Sequence, residues 1–290
     1  MKFGVSFLRL RQASFVDVTQ AAEDLGYESV WLSDHLVLPA GMESSPYAGA
    51  EHPPIPPELP VFDAPAVLAH LAAHTTTIRL GTWVYVLPLR HPFAAARSFA
   101  TLDVLSGGRA EVGVGVGWLA GEFAAAGIDF ATRGRRADEA LDVCRRLWSE
   151  PTVEHHGEFF SFGPVAFEPK PVQRPTLRVH VGGESPAALR RAARFGDGWL
   201  SMEQTPGTIG PLVARLRAAE SAAGRTTPLE VTAAPRQITV VGDAPTVEEI
   251  AGFEAAGVDR LIVSPWRRTS EAIDGLERFA KECGLGSKGA

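Results

Sequence analysis

One segment of the sequence, residues 101–118, shows a pattern that the rest of the chain repeats. Leu102 and Leu105 are spaced to share one face of a helix. Gly107 and Gly108 predict the end of that helix, because glycine adopts the left-handed closing conformation without a steric cost. Valines at alternate positions then predict a strand, and the glycines between them let another group approach its backbone. A helix, a glycine stop and a buried strand in this order are typical of one repeat of a βα barrel.

Strand and helix patterns of this kind alternate along the whole sequence. Ser14 is expected to cap the first helix and Gly26 to end it, while Thr246 and Glu249 form a capping box near the other end of the chain. Eight such repeats favour a closed (β/α)8 TIM barrel, an α/β fold, over the alternative of an open doubly wound sheet. The predicted strands cover residues 2–7, 29–33, 78–86, 112–116, 177–181, 198–202, 230–241 and 259–263.

Two segments interrupt the alternation. Residues 36–62 contain many prolines and no hydrophobic period, which is typical of a lid or a binding loop. Residues 119–175 combine a helical stretch with a short hairpin, which is expected from the segments F-F-S-F and V-A-F. We interpret both segments as insertions within one domain that spans residues 1–290, because single α/β barrels reach this length.

Charge and composition limit the classes of partner. A formal net charge of −6 argues against a nucleic-acid-binding protein, which needs a clustered basic face. The sequence shows neither an apolar run of about 18 residues nor a signal-peptide pattern in its first residues. Cys144 and Cys283 form no ligand or redox motif. We therefore expect a cytoplasmic protein that acts on a small molecule, with no nucleic-acid or membrane partner.

The carboxyl ends of the predicted strands are the expected location of the active site, since βα barrels carry their catalytic groups there. At one of these ends His35 directly follows Asp34, and an imidazole can exchange a proton near neutral pH. The alternative is a histidine that is hydrogen-bonded structurally beneath the proline-rich loop. The strand-end rule selects Asp34, His35, residues 82–86, 115–118 and 182–185, Ser201 and Met202.

Residues 182–186, G-G-E-S-P, form a glycine turn that enters a helix. Free backbone N–H groups, the Ser185 hydroxyl and the positive end of the helix dipole would suit a phosphate. The alternative is a plain βα turn, and barrels often bind phosphate after their seventh and eighth strands, which this turn does not follow. From the residues alone, both interpretations stay open.

Three other motifs do not support a site. Gly113, Gly115 and Gly117 read G-x-G-x-G within a strand, whereas the dinucleotide-binding motif is G-x-G-x-x-G and opens a helix. His70 and His74 are spaced like zinc ligands but lack the catalytic glutamate between them, so we interpret them as the polar edge of a helix. The sequence has no G-x-S-x-G elbow, and its strand ends lack the clustered ligands of a metal-dependent hydrolase, so no metal is expected.

Taken together, these stretches resemble the bacterial-luciferase-like family, and especially its members that use the deazaflavin coenzyme F420. The resemblance covers nearly the whole chain and is weakest in the proline-rich loop and beyond the sixth strand. The matching segments are W-L-S-D-H-L (31–36), L-G-T-W-V-Y-V-L-P-L-R-H-P (80–92), residues 102–118, R-G-R-R-A-D-E (133–139), V-G-G-E-S-P-A-A-L-R-R-A-A-R (181–194) and G-D-G-W (196–199).

The resemblance implies a flavin-like cofactor at the carboxyl ends of the barrel strands, with His35 as a proton donor beside its ring. It also implies a strand bulge at residues 82–84, sometimes with a cis peptide, behind the ring, and a phosphate-binding turn at Gly182 and Gly183. The implied cofactor contacts are Asp34, Thr82, Trp83, Val84, Gly115, Gly117, Gly182, Gly183, Ser185, Ser201 and Met202.

One residue departs from the family pattern. Where the deazaflavin sugar-phosphate dehydrogenases have a catalytic glutamate, this chain has Trp118, whose indole cannot take a proton. Trp118, together with Phe7, is expected to line an apolar substrate pocket. The resemblance implies an F420-dependent oxidoreductase in a homodimer; the alternatives are a monooxygenase that uses reduced FMN and oxygen, and a non-catalytic flavin-binding paralogue.

Overall fold

The computed structural model describes residues 1–8, 10–40, 59–236 and 244–286. Its main sheet is parallel and closes on itself, because β3 pairs with β5 as well as with β2. The strand order is β3-β2-β1-β11-β10-β9-β8-β5-β4. The predicted TIM barrel is therefore confirmed. The strands are β1 (Lys2–Ser6), β2 (Ser29–Leu32), β3 (Arg79–Thr82), β4 (Tyr85–Val86), β5 (Ala110–Gly115), β6 (Thr152–His156), β7 (Ser161–Ala166), β8 (Val179–Gly182), β9 (Gly198–Gln204), β10 (Glu230–Pro235) and β11 (Arg260–Val263).

The helices connect these strands. The predicted capping box of Thr246 and Glu249 is present, and the side chains of Asp63 and Ser185 accept N-cap hydrogen bonds as well. The predicted cap at Ser14 is wrong: a 3-10 turn leads into the helix there, and the Ser14 side chain makes no cap hydrogen bond. The helices are α1 (Phe15–Asp24), α2 (Ala64–Ala72), α3 (Pro92–Leu105), α4 (Ala120–Ala125), α5 (Arg133–Ser149), α6 (Pro186–Phe195), α7 (Pro206–Ala222), α8 (Val247–Ala255) and α9 (Ala272–Cys283).

The predicted continuous strand over residues 78–86 is wrong. The structure has β3 and β4 separated by Trp83 and Val84, which a cis peptide bond joins. Beyond the interruption, β4 pairs with β5, and the Val86 N–H donates a hydrogen bond to the carboxylate of Asp34. A bulge at this position was implied by the family resemblance, whereas the alternation of residue types did not indicate it.

Two further strand predictions need correction. The hairpin is confirmed, but its first strand is β6, T-V-E-H-H, and the segments F-F-S-F and V-A-F both fall in or beside β7. The predicted strand over 230–241 ends at Pro235 in the structure, and residues 237–243 lie outside the described part of the chain. The proline-rich segment 36–62 is described only at its two ends.

The centre of the barrel is filled by a cluster of buried side chains around Trp31 of β2, which is itself fully buried. A Cβ atom at Gly4 would lie 2.7 Å from its Nε1 atom, and one at Gly81 would lie 2.4 Å from its Cε3 atom. Its ring packs edge-on against Trp83, 5.9 Å away between centroids, and against His180 at 5.6 Å. Because Gly4 in β1 and Gly81 in β3 have no side chains, they leave the room that the Trp31 indole occupies.

Below Trp31, the amino ends of the strands carry a network of buried ion pairs. Glu111, fully buried, contacts His180, Arg79 and Arg178. Burial alone would raise the pKa of Glu111, but His180, Arg178 and Arg79 together hold it below its usual range. This network satisfies charges that would otherwise be costly to bury, so its role is structural. The remaining pairs join Arg260 to Glu28 and Glu230, Arg178 to Glu230 and Lys2 to Glu230.

We expect Glu230→Gln to change how stability depends on pH. Burial alone would raise the pKa of Glu230, but Arg260, Lys2 and Arg178 lower it to about 2 from an ordinary 4.5. Because the pKa is lower in the folded state, the stabilisation is complete above about 4.5 and is lost as the pH falls through about 2. The effect is on the order of 2 kcal/mol. Urea unfolding measures the free energy of unfolding of both proteins, and the difference between them should become smaller as the pH falls below 4.5. A difference that does not change with pH contradicts the lowered pKa of Glu230.

Candidate functional site

The carboxyl ends of the parallel strands meet at one mouth of the barrel, and most of the predicted site residues lie there. Asp34 and His35 follow β2, Trp83 and Val84 lie between β3 and β4, and Gly115 ends β5. In the same way, Gly182 ends β8 and Ser201 and Met202 lie in β9. The closed sheet therefore brings together residues that are up to 168 positions apart in the sequence, Asp34 and Met202.

At this mouth Asp34 is hydrogen-bonded to two residues of the chain. Its Oδ1 and Oδ2 atoms each accept a hydrogen bond of 2.7 Å from the Arg90 guanidinium, and Oδ2 also accepts one of 2.9 Å from the Val86 N–H. Burial raises the pKa of the Asp34 carboxyl group, while Arg90 and the Val86 amide oppose that rise. The guanidinium in turn lies over the Tyr85 ring. Both oxygens are engaged within the protein, so Asp34 fixes the end of β2 against β4.

His35 has a partner that sequence reasoning missed. Its Nδ1 atom lies 3.0 Å from the Oε2 atom of Glu122, in the first turn of α4. The Glu122 side chain is 0% exposed and that of His35 15%. The other Glu122 oxygen, Oε1, accepts hydrogen bonds from the backbone N–H groups of Leu36 and Val37. The available signal was an acidic residue in a helix that follows a strand end, but residue type and spacing do not indicate that it faces His35.

Trp118 also contacts His35. The two rings pack edge to face, with centroids 5.6 Å apart and an interplanar angle of 87°. Phe7 lies elsewhere: it is 5% exposed and packs on Phe15, 4.9 Å away between ring centroids, within the main hydrophobic core. Of the two residues predicted to line the substrate pocket, the structure brings only Trp118 next to His35.

The Val84 side chain packs into space left by two glycines. A Cβ atom at Gly115 would lie 2.4 Å from one Val84 methyl group, and one at Gly182 would lie 2.9 Å from the other. Thr82 braces the same region by donating a hydrogen bond of 2.7 Å to the Gly113 carbonyl. The absence of a side chain at both positions therefore leaves the space that Val84 occupies at the mouth.

Gly117 has a structural role that the sequence did not predict. Its φ angle is +78°, a left-handed conformation that favours glycine. A Cβ atom at this position would lie 2.7 Å from the Phe123 ring and 2.8 Å from a Val86 methyl group. Gly117 therefore allows the chain to turn between β5 and Trp118 while Phe123 packs against it.

The turn at 182–185 offers fewer free donors than the sequence predicts. Gly183 has a φ angle of +111°, and its N–H donates to the Leu200 carbonyl at 3.1 Å, so the prediction of a free N–H there is wrong. Ser185 accepts the cap hydrogen bond of α6 from the Ala188 N–H at 3.1 Å. The Ser185 O–H and the positive end of the α6 dipole would still favour an anionic group at this turn.

Glu184 accepts hydrogen bonds from two residues that were predicted to contact a cofactor. Its Oε1 atom accepts hydrogen bonds from the Ser201 hydroxyl at 2.9 Å and from the Met202 N–H at 3.0 Å. These two residues were predicted to contact a cofactor, and in the structure they contact this carboxylate. The strand-end rule selected Glu184 with the rest of its turn, but its contacts were not predicted. They follow from the closed sheet, because β8 and β9 pair side by side and bring residue 184 to the end of β9.

Other candidate chemistry is not assembled in the part of the chain that the structure describes. Within residues 1–8, 10–40, 59–236 and 244–286, no three His, Cys, Asp or Glu side chains form a group that could hold a metal ion. His70 and His74 contact each other on α2, with ring centroids 4.8 Å apart. Among the same residues, no helix combines the length and the apolar composition of a membrane span.

Comparison with known proteins gives one family. The model of the luciferase-like monooxygenase family matches residues 9–258. An uncharacterised protein of Mycobacterium tuberculosis is 32% identical over 250 residues, which are 86% of this chain and 84% of that protein. The F420-dependent hydroxymycolic acid dehydrogenase of M. tuberculosis is 30% identical over 273 residues, 93% of this chain and 67% of that protein.

Two monooxygenases are also similar. The FMNH2-dependent dimethylsulfone monooxygenase of Pseudomonas putida is 34% identical over 145 residues, which are 49% of this chain and 40% of that protein. Among solved structures, the monooxygenase RslO1 of Streptomyces bottropensis superposes with a TM-score of 0.77 at 24% identity, over 97% of this chain and 98% of that one. That structural likeness concerns the barrel itself.

Proposed function

Because the chain belongs to the luciferase-like monooxygenase family, we propose that it is an F420-dependent oxidoreductase that acts on a small organic substrate. The observation that carries this proposal is the pairing of His35 with the buried Glu122 at the mouth of the barrel. An imidazole oriented in this way is suited to exchange a proton while another group transfers a hydride.

The residues at the mouth have separate roles in the proposed reaction. When bound, a reduced deazaflavin supplies the hydride, and the redox chemistry belongs to that group. His35 supplies the accompanying proton, or collects it in the opposite direction. Trp118 covers one side of the imidazole and keeps water away from it. Val84, seated over Gly115 and Gly182, supports one face of the ring.

The choice of deazaflavin over FMN rests on the extent of similarity. The F420-dependent relative matches 93% of the chain, whereas the FMNH2-dependent relative matches 49%. Glu184 favours the same choice. A carboxylate beside the 182–185 turn disfavours the doubly charged phosphate monoester of FMN more than the singly charged phosphodiester of F420. A monooxygenase that uses reduced FMN and oxygen is the second candidate.

Titration of the purified protein with each cofactor tests the proposal. We expect saturable binding of F420, with a Kd in the micromolar range or below, and at least tenfold weaker binding of FMN. Glu184→Gln should bring the two affinities closer together, because it removes the negative charge. Glu154→Gln, a change of the same kind on the exposed hairpin strand β6, is the matched control and should leave both affinities unchanged.

Tight FMN binding with oxygen consumption, and no F420 binding, would reverse the assignment in favour of the monooxygenase. Binding without turnover of any alcohol, ketone or enone in an activity screen would instead indicate the non-catalytic paralogue.

A further inference from the structure

We propose that Glu122 is a positioning residue that fixes the tautomer of His35, with the proton on Nδ1, so that proton exchange occurs at Nε2. This inference deepens the proposed function and rests on it for the role of His35 in turnover. The family resemblance did not indicate it, because Glu122 lies in a segment interpreted from sequence as an insertion between barrel units.

The three contacts of the Glu122 carboxylate carry the argument. Oε1 faces the backbone N–H groups of Leu36 and Val37, and Oε2 faces the Nδ1 atom of His35 at 3.0 Å. A carboxylate can only accept hydrogen bonds, so the Nδ1 atom carries the proton and donates it. The Nε2 atom is then the ring nitrogen that gains and loses the proton that the substrate exchanges.

The burial of Glu122 restricts the orientation of the His35 ring. The Glu122 side chain is 0% exposed, so its negative charge needs all of its hydrogen-bond donors. On its other side, His35 meets the edge-to-face ring of Trp118. The neighbouring carboxylate of Asp34 is engaged by Arg90. Among the contacts that the structure gives, Glu122 is therefore the group that orients the His35 ring.

The same geometry predicts an unusual effect of Glu122→Gln, a change that conserves shape. The amide oxygen of the glutamine must stay at the Oε1 position, because the Leu36 and Val37 N–H groups point there. The amide NH2 group then faces the Nδ1 atom of His35. Two donors cannot face each other, so Nδ1 must lose its proton and Nε2 must hold it. The substitution therefore reverses the tautomer while it keeps the contact.

The chain contains a matched control for this experiment. Glu139 on α5 has the same types of partner away from the mouth. Its Oε1 atom lies 3.0 Å from the Nε2 atom of His155 and accepts from the backbone N–H groups of Phe159 and Phe160, and its Oε2 atom also accepts from Phe159. These groups join α5 to the β6–β7 hairpin. Glu139→Gln thus makes the same chemical change in the same kind of contact, and we expect it to leave the His35 ring and the turnover unchanged.

The direct test is 15N NMR of histidine side chains, on protein without cofactor, at a pH where the imidazole is neutral. The His35 signals are assigned from their loss in His35→Ala. We expect Nδ1 to carry the proton in the natural protein and in Glu139→Gln, and Nε2 to carry it in Glu122→Gln. A bare Nδ1 in the natural protein overturns the inference, and this outcome needs no variant to fold. An unchanged tautomer in a folded Glu122→Gln protein overturns it equally.

Kinetics give the second readout. We expect kcat to fall about 10- to 100-fold in Glu122→Gln, with F420 affinity nearly unchanged and a loss no larger than in His35→Ala. If His35→Ala turns over normally, the proposed role of His35 fails while the NMR result still decides the tautomer. If His35→Ala is inactive and Glu122→Gln keeps full kcat, the positioning role is wrong and the proposed function stands.

Discussion

Replacing His35 with alanine is expected to lower kcat about 100-fold or more while coenzyme affinity changes little. The magnitude is that of general acid or base catalysis, about 10²- to 10⁴-fold. Affinity should be nearly preserved because the Glu122 contacts with Leu36 and Val37 do not depend on the imidazole. Single-turnover kinetics and a cofactor titration on the same sample separate the two effects.

His70→Ala is the control for this experiment, since that imidazole is exposed on α2, outside the barrel. It should leave kcat unchanged. Full turnover in His35→Ala would remove the proton-transfer role, and a large loss of coenzyme affinity with normal kcat would make His35 a binding residue instead.

Trp31→Ala is expected to lower the free energy of unfolding by about 3–5 kcal/mol, as large-to-small changes of buried aromatic residues do. The space cannot close easily, because Gly4 and Gly81, which line it, have no side chains to move in. Since natural domains have a total stability of only about 5–15 kcal/mol, this loss is a large part of the whole. Urea unfolding measures this loss, provided that the dependence of the free energy of unfolding on urea concentration is the same in both proteins.

A double-mutant cycle of Trp31→Ala with Gly81→Ala tests whether the Trp31 ring fills the space that Gly81 leaves. In the natural protein the added methyl group would meet the Trp31 ring at 2.4 Å, and such overpacking costs about 1–3 kcal/mol. In the Trp31→Ala background the same methyl group enters empty space and should cost little or even stabilise the protein. Additive effects of the two changes, or a loss below about 1 kcal/mol for Trp31→Ala alone, would show that the barrel axis repacks.

The barrel could be predicted from the sequence because its evidence is local and repeated. Each strand pattern is followed by a helix pattern, and caps such as Asp63 and Thr246 act within four residues. The errors arose where a distant group intervenes. Just beyond the break between β3 and β4, the Val86 N–H donates to the Asp34 carboxylate, 52 positions away, and no window of neighbouring residues contains that information.

The candidate site could be predicted in part for the same reason. His35 was identified because it follows a strand directly, whereas Glu122 lies 87 positions away and reaches it only in the folded chain. The turn at Gly183 was predicted correctly as a turn, but its N–H is used by Leu200 of the neighbouring strand. Residue type and spacing therefore predict which groups are present at the mouth, and tertiary structure decides which of them are already engaged.

The indole of Trp31 has a consequence for how protons are supplied. It is fully buried, and it lies between Trp83 on the mouth side and the charged layer of His180 and Arg260. If His35 exchanges a proton as proposed, its Nε2 atom lies on the mouth side of this buried indole, and we expect its proton to come from the mouth by which the substrate enters.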